Sequence, residues 1–320
     1  MRVLVTGAAG FIGYHLCEWL LGRGDTVIGL DNLESTGDVT LKATRLSRLK
    51  ADPGFSFHRL DIRDTQACRE IFEEARPERV VHLAARVGVR STSAEAGEYT
   101  ETNVSGFLQV LERCREAGVE HLVFASSSSV YGLGTPVPFS EQAAADRPVS
   151  VYGATKRADE LLAHVYSHMY GMRVTGLRFF TVYGPWGRPD MAPMLFLRAI
   201  LEGRPITLYD EGRMQRDFTY VDDVVEAVVR VLDKAPREAP PYRVLNVGRG
   251  APVSMAHFLD VLEERLGMRA WVELKPAQPG ELAVTYADVT ALERETGFRP
   301  SVPLEEGLAR LVAWYRGEEG

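Results

Sequence analysis

Segments with the pattern of buried strands alternate with segments of helical periodicity along most of this chain, and this order predicts an α/β fold. We expect a doubly wound parallel sheet, followed by a smaller C-terminal α/β domain. Two observations support this. Short apolar runs rich in β-branched residues, such as Arg2–Thr6, are typical of buried parallel strands. A glycine-rich turn follows the first of these runs directly and precedes a helical pattern.

The bulk properties narrow the class of protein. A length of 320 residues allows one or two domains, and a net charge of −7 argues against nucleic-acid binding. The three cysteines, Cys17, Cys68 and Cys114, are widely spaced and follow no metal-ligand pattern, which favours a reducing compartment. No apolar run is long enough to span a membrane, and a strand that begins at Arg2 leaves no room for a signal peptide. We therefore expect a soluble cytoplasmic protein without a metal.

The glycine turn predicts a site for a dinucleotide phosphate. Its glycines have the spacing G-x-x-G-x-x-G, between the first strand and the first helix. Glycines there allow a tight turn and close backbone approach, and the helix N-terminus attracts the pyrophosphate. The residues that we expect to contact the cofactor are Gly7, Gly10, Phe11, Ile12 and Gly13.

The second strand, Thr26–Leu30, indicates which dinucleotide binds. It ends in Asp31 and Asn32, about 20 residues beyond the glycines, where a carboxylate suits the adenosine ribose diol. Because that carboxylate would repel a 2′-phosphate and no arginine directly follows it, we expect NAD rather than NADP. A solvated turn aspartate is the alternative.

Two further strands complete the predicted cofactor edge. Phe55–Leu60 precedes Asp61 and Ile62, and Asp61 either caps the next helix or meets the adenine amine. Arg79–Ala85 ends in Leu83, Ala84 and Ala85, where small residues would let a cofactor pass close to the backbone. Residues 34–52 are polar and receive no assignment.

Helices are expected near 65–75 and 96–117, and in the second of them Asn103 either reaches the cofactor or caps a turn. Strand His121–Ala125 then delivers Ser127, Ser128 and Ser129 to the carboxyl edge of the sheet, where ligands of doubly wound folds bind. Their hydroxyls could hydrogen-bond a substrate oxygen. A hydroxyl-rich turn without function is the alternative.

Tyr152 and Lys156 are four residues apart at the start of a helical pattern, so they share one face of that helix. A tyrosine ordinarily titrates near a pKa of ~10, and a neighbouring ammonium favours its charged form. If the pair faces a cleft it can transfer a proton; otherwise it is a chance pair on a surface helix. His164 and His168 follow on the same helix, where a packing or subunit contact is the simpler interpretation than a metal site.

The remaining chain is expected to supply the following elements: a helix over Pro193–Glu202, a strand over Ile206–Tyr209, a helix over Val221–Leu232 that returns to the cofactor domain, a strand over Tyr242–Gly248, a helix from Ser254 to Leu266, and a helix over Glu305–Arg316.

Taken together, these motifs resemble the extended short-chain dehydrogenase/reductase family, and specifically its nucleotide-sugar epimerases. The resemblance covers nearly the whole chain and adds Arg178–Pro185 and Arg216–Asp223 to the motifs above. It implies a Rossmann-like domain over 1–178, to which 217–248 returns, and a nucleotide-sugar-binding domain over 179–216 and 249–320. It also implies that Tyr152 is the catalytic acid/base, that Lys156 tunes it and binds the cofactor ribose, and that Ser127 holds the reacting oxygen.

The resemblance also indicates the reaction. Dehydratases and decarboxylases of this group typically carry a glutamate just after the active-site Ser/Thr, whereas this chain has Ser128 and Ser129. Expelling water requires a second acid/base group, and hydroxyls serve poorly. We therefore expect 4-epimerisation through a transient 4-keto sugar.

The segment Thr181–Ala192 resembles that of the UDP-glucuronate 4-epimerases. This implies that Arg188 binds the sugar carboxylate with help from Thr181, which agrees with the two-point geometry of guanidinium and carboxylate. An arginine that only caps a proline-rich loop is the alternative.

The resemblance further implies a nucleotide grip by Arg216 on the diphosphate, by Tyr209 stacked on uracil (or simply core), and by Glu281 in a second contact. Glu281 and Gln278 depart from the family pattern, in which Asp and Arg are frequent. Helices 96–117 and 151–170 resemble the family's four-helix dimer interface, so we expect a homodimer. The alternatives are UDP-glucose/UDP-galactose 4-epimerisation, a dehydratase or decarboxylase, and a non-catalytic NAD sensor.

Overall fold

The fold is taken from a computed structural model that describes residues 1–34, 39–88, 95–277 and 282–318, with the side chain of Val39 excepted. Its centre is a seven-stranded sheet in the order β3-β2-β1-β4-β5-β6-β11, in which every neighbouring pair is parallel. The strands are β1 (Arg2–Thr6), β2 (Thr26–Asp31), β3 (Phe55–Arg59), β4 (Arg79–His82), β5 (His121–Ser127), β6 (Val174–Phe179) and β11 (Tyr242–Val247).

Helices cover both faces of this sheet, as a doubly wound fold requires. One face carries α1 (Phe11–Gly22), α2 (Val39–Leu49) and α8 (Val221–Asp233). The other face carries α3 (Thr65–Ala75), α5 (Gly106–Ala117) and α6 (Val151–Tyr170). The short helix α4 (Ala96–Tyr99) lies against α6. Strand order reverses between β1 and β4, which is where such folds bind their ligands. The predicted α/β fold class is therefore confirmed.

The C-terminal part adds short paired strands and four helices beside the carboxyl edge. Its strands are β7 (Thr181–Tyr183), β8 (Pro205–Tyr209), β9 (Gln215–Arg216), β10 (Phe218–Tyr220), β12 (Val253–Ser254) and β13 (Trp271–Lys275). Its helices are α7 (Ala192–Leu201), α9 (Met255–Leu266), α10 (Thr290–Thr296) and α11 (Leu304–Arg316). One apolar core runs from α1 and α8 into α7, α9 and α11, so this part packs continuously on the sheet.

Several boundaries differ from the sequence expectations. Strand β4 stops at His82, because Ala84 donates its backbone N–H to the Thr6 hydroxyl instead of a strand partner (3.1 Å). Helix α2 lies inside the stretch that received no assignment, and β13 and α10 were not predicted. The helix expected over 96–117 contains a π-helical turn at Thr100–Ser105. Such turns occur frequently at functional sites.

The described residues contain no helix that is long and apolar enough to cross a membrane. All three cysteines are buried and free. Nowhere in the described ranges do three or more His, Cys, Asp or Glu side chains gather in a way that could hold a metal ion.

Candidate active site

The glycine turn between β1 and α1 has the close geometry of a phosphate cradle. Gly7 has a φ of +72°, and a Cβ there would lie 2.8 Å from the backbone nitrogen of Ala84. A Cβ on Gly13 would lie 2.1 Å from the carbonyl oxygen of Gly7. Side chains at these positions would push α1 and the end of β4 away from the turn. Phe11 and Ile12 open α1, so its N-terminal dipole faces the turn.

Asp31 lies at the carboxyl end of β2 beside this turn. Its carboxylate accepts the backbone N–H groups of Ala9 (3.2 Å) and Leu33 (2.8 Å), and it forms an ion pair with Lys42 of α2 (2.9 Å). Asp31 is therefore a buried carboxylate at the cradle rather than a solvated turn residue. Sequence reasoning missed Lys42 because α2 received no assignment.

Asp61 is held on the neighbouring strand end. Its carboxylate accepts from the Asn32 amide (3.0 Å) and from the Arg63 guanidinium (2.7 Å), and the Arg63 contact holds its pKa well below the usual range. The cap of α3 is Asp64, whose side chain accepts the backbone N–H of Ala67. The helix-cap interpretation of Asp61 is therefore wrong, while its contact with adenine stays a prediction.

The residues after β4 line the same edge. Leu83, Ala84 and Ala85 follow the strand, and Ala84 contacts the glycine turn. Ile62 packs against Gly106 at the start of α5.

Asn103 lies within the π-helical turn and is fully buried. Its amide nitrogen donates to the carbonyl of Arg86 (3.0 Å) and to the Thr155 hydroxyl (2.9 Å), and its amide oxygen accepts the Arg86 N–H (2.8 Å). Both amide hydrogens are thus used within the protein. Asn103 connects the segment after β4 to α6, and only its oxygen keeps capacity for a cofactor.

Helix α6 brings the Tyr–Lys pair to this edge. Ser150 caps its N-terminus by accepting the Gly153 N–H (3.0 Å). A Cβ on Gly153 would lie 2.5 Å from the carbonyl oxygen of Ser129, so the helix rests directly on the serine turn. Tyr152 therefore begins its helix beside the end of β5.

The serine turn comes from the end of β5. Ser127 is the last residue of that strand, and its hydroxyl oxygen accepts the backbone N–H of Ser129 (3.1 Å). Because the hydroxyl oxygen is the acceptor in that bond, its hydrogen can be donated to a substrate oxygen. Ser128 and Ser129 continue as a single 3₁₀ turn and are partly exposed.

Lys156 lies one helical turn after Tyr152 and is buried. Its ammonium donates to the Asp159 carboxylate, with Nζ and Oδ2 3.0 Å apart. Sequence reasoning did not single out Asp159. The available signal was its i,i+3 position after Lys156, the spacing at which helical side chains meet.

Tyr99 connects the Tyr–Lys pair with the arginine proposed for the sugar. Its ring meets the Tyr152 ring edge to face, with centroids 6.5 Å apart. Burial raises the pKa of Tyr99, and the charges of Arg86 and Arg188 oppose that shift. Arg188 therefore lies within electrostatic reach of the residue that touches Tyr152.

Arg188 itself holds Asp190 in a two-point ion pair. Its Nε and Nη2 lie 3.0 Å and 2.6 Å from the two carboxylate oxygens of Asp190. This contact lowers the pKa of Asp190, although burial opposes the shift. A substrate carboxylate would share or replace Asp190 on the same guanidinium.

The other described residues predicted to contact the substrate lie on several short strands of the C-terminal part. Thr181 pairs with Phe218 where β7 meets β10. Tyr209 ends β8 and packs against the apolar core. Arg216 donates to the carbonyl oxygens of Gln215 (2.8 Å) and Leu282 (2.9 Å). Glu281 and Gln278 lie outside the described residues.

Arg45 is a further residue that the sequence did not reveal. This buried arginine of α2 donates to the carbonyl of Ala9 in the glycine turn (3.0 Å) and to the carbonyl of Trp186. It ties the cofactor cradle to the segment that carries Arg188.

A doubly wound sheet with a dinucleotide cradle, and a Tyr–Lys pair beside it, are typical of NAD-dependent enzymes that transfer a hydride at a carbon bearing a hydroxyl group. The profile of the NAD dependent epimerase/dehydratase family matches residues 3–248. The chain therefore belongs to that family, and the NAD expectation is confirmed with it.

Named relatives and solved structures extend this result. A Rhizobium meliloti protein named a probable UDP-glucuronate 4-epimerase is 44% identical over 98% of this chain and 97% of its own length. UDP-glucuronate 4-epimerase 2 of Arabidopsis thaliana is 44% identical over 99% of this chain and 76% of its own length.

Among solved structures, UDP-glucuronic acid 4-epimerase from Bacillus cereus, in complex with UDP-glucuronic acid and NAD, matches with a TM-score of 0.92 at 34% identity, over 100% of both chains. UDP-glucose 4-epimerase of Thermus thermophilus, in complex with NAD, matches with a TM-score of 0.85 at 36% identity, also over 100% of both chains.

Proposed function

We propose that this enzyme is an NAD-dependent UDP-sugar 4-epimerase whose substrate is UDP-glucuronate, which it converts to UDP-galacturonate. The observation that carries the choice of sugar is Arg188, which already binds a carboxylate in two-point geometry. Its charge also acts on Tyr99, whose ring meets that of Tyr152. The relatives named UDP-glucuronate 4-epimerases support the same choice.

In this proposal Tyr152 removes the proton of the sugar 4-hydroxyl, and Ser127 donates a hydrogen bond to that oxygen. When bound, NAD supplies the hydride acceptor for C4 and then the donor to the opposite face of the 4-keto sugar. Tyr152 returns the proton. Lys156 stabilises the tyrosinate during the cycle. Ser128 and Ser129 provide no acid for expelling water, so the reaction ends in an epimer.

The cofactor contacts proposed from the sequence are Gly7, Gly10, Phe11, Ile12, Gly13, Asp31, Asn32, Asp61, Ile62, Leu83, Ala84, Ala85, Asn103, Tyr152 and Lys156. The UDP-sugar contacts are Ser127, Ser128, Ser129, Thr181, Arg188, Tyr209, Arg216 and Glu281. We assign the first set to a domain over 1–178 with 217–248, and the sugar-nucleotide contacts beyond the serines to 179–216 and 249–320.

A uronate brings a chemical hazard that gives Arg188 a second role. A 4-keto group is β to the C6 carboxylate, and β-keto acids lose CO2. We propose that Arg188 and Thr181 hold the carboxylate so that its C–C bond stays out of line with the carbonyl π system. Decarboxylation is then slow although the keto sugar forms.

Replacement of Arg188 by alanine tests this function. We expect conversion of UDP-glucuronate to weaken about 10- to 100-fold, as for loss of a hydrogen bond to a charged group, together with the appearance of a pentose product. Conversion of UDP-glucose should not fall. The matched control is Arg204→Ala, which removes an exposed arginine from a surface ion pair with Glu202. Wild-type activity of Arg188→Ala on UDP-glucuronate, without a pentose product, would contradict the assignment of Arg188 to the sugar carboxylate.

UDP-glucose is the second candidate substrate, because the Thermus thermophilus structure matches this chain at 36% identity. The two substrates are distinguished by incubating the enzyme with UDP-glucuronate and, separately, with UDP-glucose, both without added NAD, and analysing the sugars. Turnover of UDP-glucose alone would favour the second candidate.

We also propose a homodimer in a reducing compartment, the cytoplasm. Helix α6 presents an exposed apolar stripe at helical spacing, with Leu161, Val165 and Met169 exposed by 53%, 44% and 62%. A stripe of this kind supports a subunit contact. The free, buried cysteines support the compartment.

A further inference from the structure

Helix α6 carries a buried carboxylate, Asp159, three residues after Lys156, and the proposed mechanism gives it no role. Asp159 is fully buried, and one of its oxygens accepts a hydrogen bond from the Lys156 ammonium at 3.0 Å. Its other oxygen, Oδ1, is also buried and accepts no hydrogen bond from any described residue. The negative charge of Asp159 is therefore balanced mainly by the cation that Tyr152 requires.

Stability alone explains this pair poorly. Taking two charges out of water costs several kcal/mol each, and replacing a buried pair by apolar groups is often neutral or stabilising. Burial raises the pKa of the Asp159 carboxyl even though Lys156 opposes the shift. The helix thus retains an ion that its environment disfavours, at the residue that tunes the proposed acid/base.

A carboxylate next to Lys156 weakens the positive electric field that the Lys156 ammonium exerts at Tyr152. A lone buried ammonium strongly favours loss of the tyrosine proton, whereas an ammonium in contact with a carboxylate is closer to a dipole, with a weaker field one helical turn away. The direction of this effect is the same whether Tyr152 or Lys156 loses the proton. Removing a nearby negative charge makes that loss easier.

We propose that Asp159 is a positioning residue that acts through Lys156: it holds the ammonium beside Tyr152 and partly neutralises its charge, so that the positive field at Tyr152 is weaker than that of Lys156 alone. The consequence is an acid/base that keeps its proton more firmly and can return it to the sugar oxygen. This inference rests on the proposed role of Tyr152 in proton transfer.

Other charged groups around α6 are held by partners of their own. Glu160, the residue after Asp159, is bound by Arg178 of β6 and Arg157 of α6. On α5, the Glu112 carboxylate accepts a hydrogen bond from the Tyr166 hydroxyl and forms an ion pair with Arg115.

The remaining facing groups come from three elements, β4, β11 and α4, and from two arginines beside α4. His82 at the end of β4 is buried, and its pKa is lowered by burial and by the charge of Lys156. Tyr242 of β11 donates to the Glu160 carbonyl oxygen. Tyr99 of α4, with Arg86 and Arg188 beside it, faces Tyr152. None of these is in ion-pair contact with Lys156 or Asp159 within the described part of the chain.

The test is the pH dependence of epimerisation by the NAD-loaded Asp159→Asn enzyme. Asparagine keeps the shape and an oxygen acceptor for Lys156 while it removes the charge. We expect the acidic limb of the kcat profile to move to lower pH by about one unit, the scale of one unit charge at close range in a protein interior. KM for the UDP-sugar should stay constant. Asp159→Ser, a second neutral variant, should move the limb in the same direction.

The control is Asp223→Asn. Asp223 is another buried carboxylate, but it accepts backbone N–H groups of Ser301 and Val302 and does not contact Lys156. The acidic limb of the kcat profile of Asp223→Asn should coincide with that of the wild type. A shift equal to that of Asp159→Asn would overturn the proposal, because the effect would then belong to any buried carboxylate.

A second measurement needs no sugar. Tyrosinate absorbance is titrated in the NAD-bound wild type and in Asp159→Asn, each against the same protein carrying Tyr152→Phe. The difference signal should appear at lower pH in Asp159→Asn. Coincident titrations and pH profiles in neutral variants that retain NAD would overturn the proposal, and so would failure of both variants to fold, since Asp159 would then be structural. If the wild type epimerises no UDP-sugar, the proposed function fails, while this titration still reports on Asp159.

Discussion

In the proposed mechanism, Tyr152 is the residue on which the chemistry depends most. Its phenol oxygen has no hydrogen-bond partner among the described residues, and its ring meets the Tyr99 ring edge to face. Replacing it by phenylalanine removes the proton carrier and leaves the packing. We expect turnover to fall by about 10²- to 10⁴-fold, the usual contribution of general acid–base catalysis.

The measurement is kcat together with NAD content and melting temperature, which should remain at wild-type values. Tyr242→Phe is the control, because it removes a hydroxyl that donates to α6 at Glu160 but lies away from the serine turn. Comparable losses of kcat in both variants would contradict the special role of Tyr152.

Sequence reasoning at the residue scale succeeded where a motif fixes both residue type and position. The glycine turn, Asp31 and the Tyr152–Lys156 pair all lie at the carboxyl edge, as expected. It failed for contacts made by residues distant in sequence. Arg45 reaches Trp186 across 141 positions, and no spacing rule predicts such a contact. The use of both Asn103 amide hydrogens by Arg86 and Thr155 also depends on tertiary structure.

At the scale of elements, we propose that α6 serves two purposes at once. Its first turn carries Tyr152 and its buried face carries Lys156, while its outer face presents the apolar stripe of Leu161, Val165 and Met169. A helix with both faces apolar or functional is expected to be covered on both sides. The proposed subunit contact would therefore also hold the catalytic helix in place.

We expect Val165→Lys combined with Met169→Lys to produce a monomer, because two charges would be buried without partners at the contact. Sedimentation velocity measures this directly. The matched control is Val137→Lys, an equally exposed apolar residue outside α6. A wild-type dimer in the double variant, or a wild-type protein that is already monomeric, would contradict the proposed interface.

Element boundaries were predicted less well than element order. Helix α2 escaped notice because its sequence is mostly polar, although Leu46 and Leu49 form a buried face. The π-helical turn inside 96–117 leaves no mark on periodicity. Strand β4 was predicted three residues too long, since Leu83–Ala85 remain apolar after the pairing ends. These three residues are only partly buried, so their apolar character alone does not mark a paired strand.

At the scale of the whole molecule, buried histidines link the fold to pH. His121 at the start of β5 is fully buried between the Leu232 carbonyl and the Thr175 hydroxyl, and burial lowers its pKa to about 3. An unfolded histidine titrates near ~6.5, so below that pH the unfolded chain binds more protons than the folded one. The stability contributed by neutral His121 is complete above pH ~6.5 and is lost as the pH falls toward 3.

We therefore expect the free energy of unfolding to fall by about 2 kcal/mol between pH 7 and pH 5 on account of His121 alone. Urea titrations at the two pH values measure it. His121→Gln should reduce the difference by that amount, whatever its effect at pH 7, whereas His257→Gln, at an exposed position, should not. An unchanged pH difference in His121→Gln would contradict the burial argument.

The central claim is that the hydride removed from C4 of UDP-glucuronate returns to the same sugar, with Tyr152 exchanging only the proton. Its most direct test uses UDP-glucuronate deuterated at C4, incubated with the enzyme in ordinary water and excess unlabelled NAD, with the products followed by mass spectrometry and NMR. We predict UDP-galacturonate that retains the deuterium at C4, with no accumulation of reduced cofactor. Loss of the label to solvent or to free NAD, or a pentose as the main product, would contradict the account.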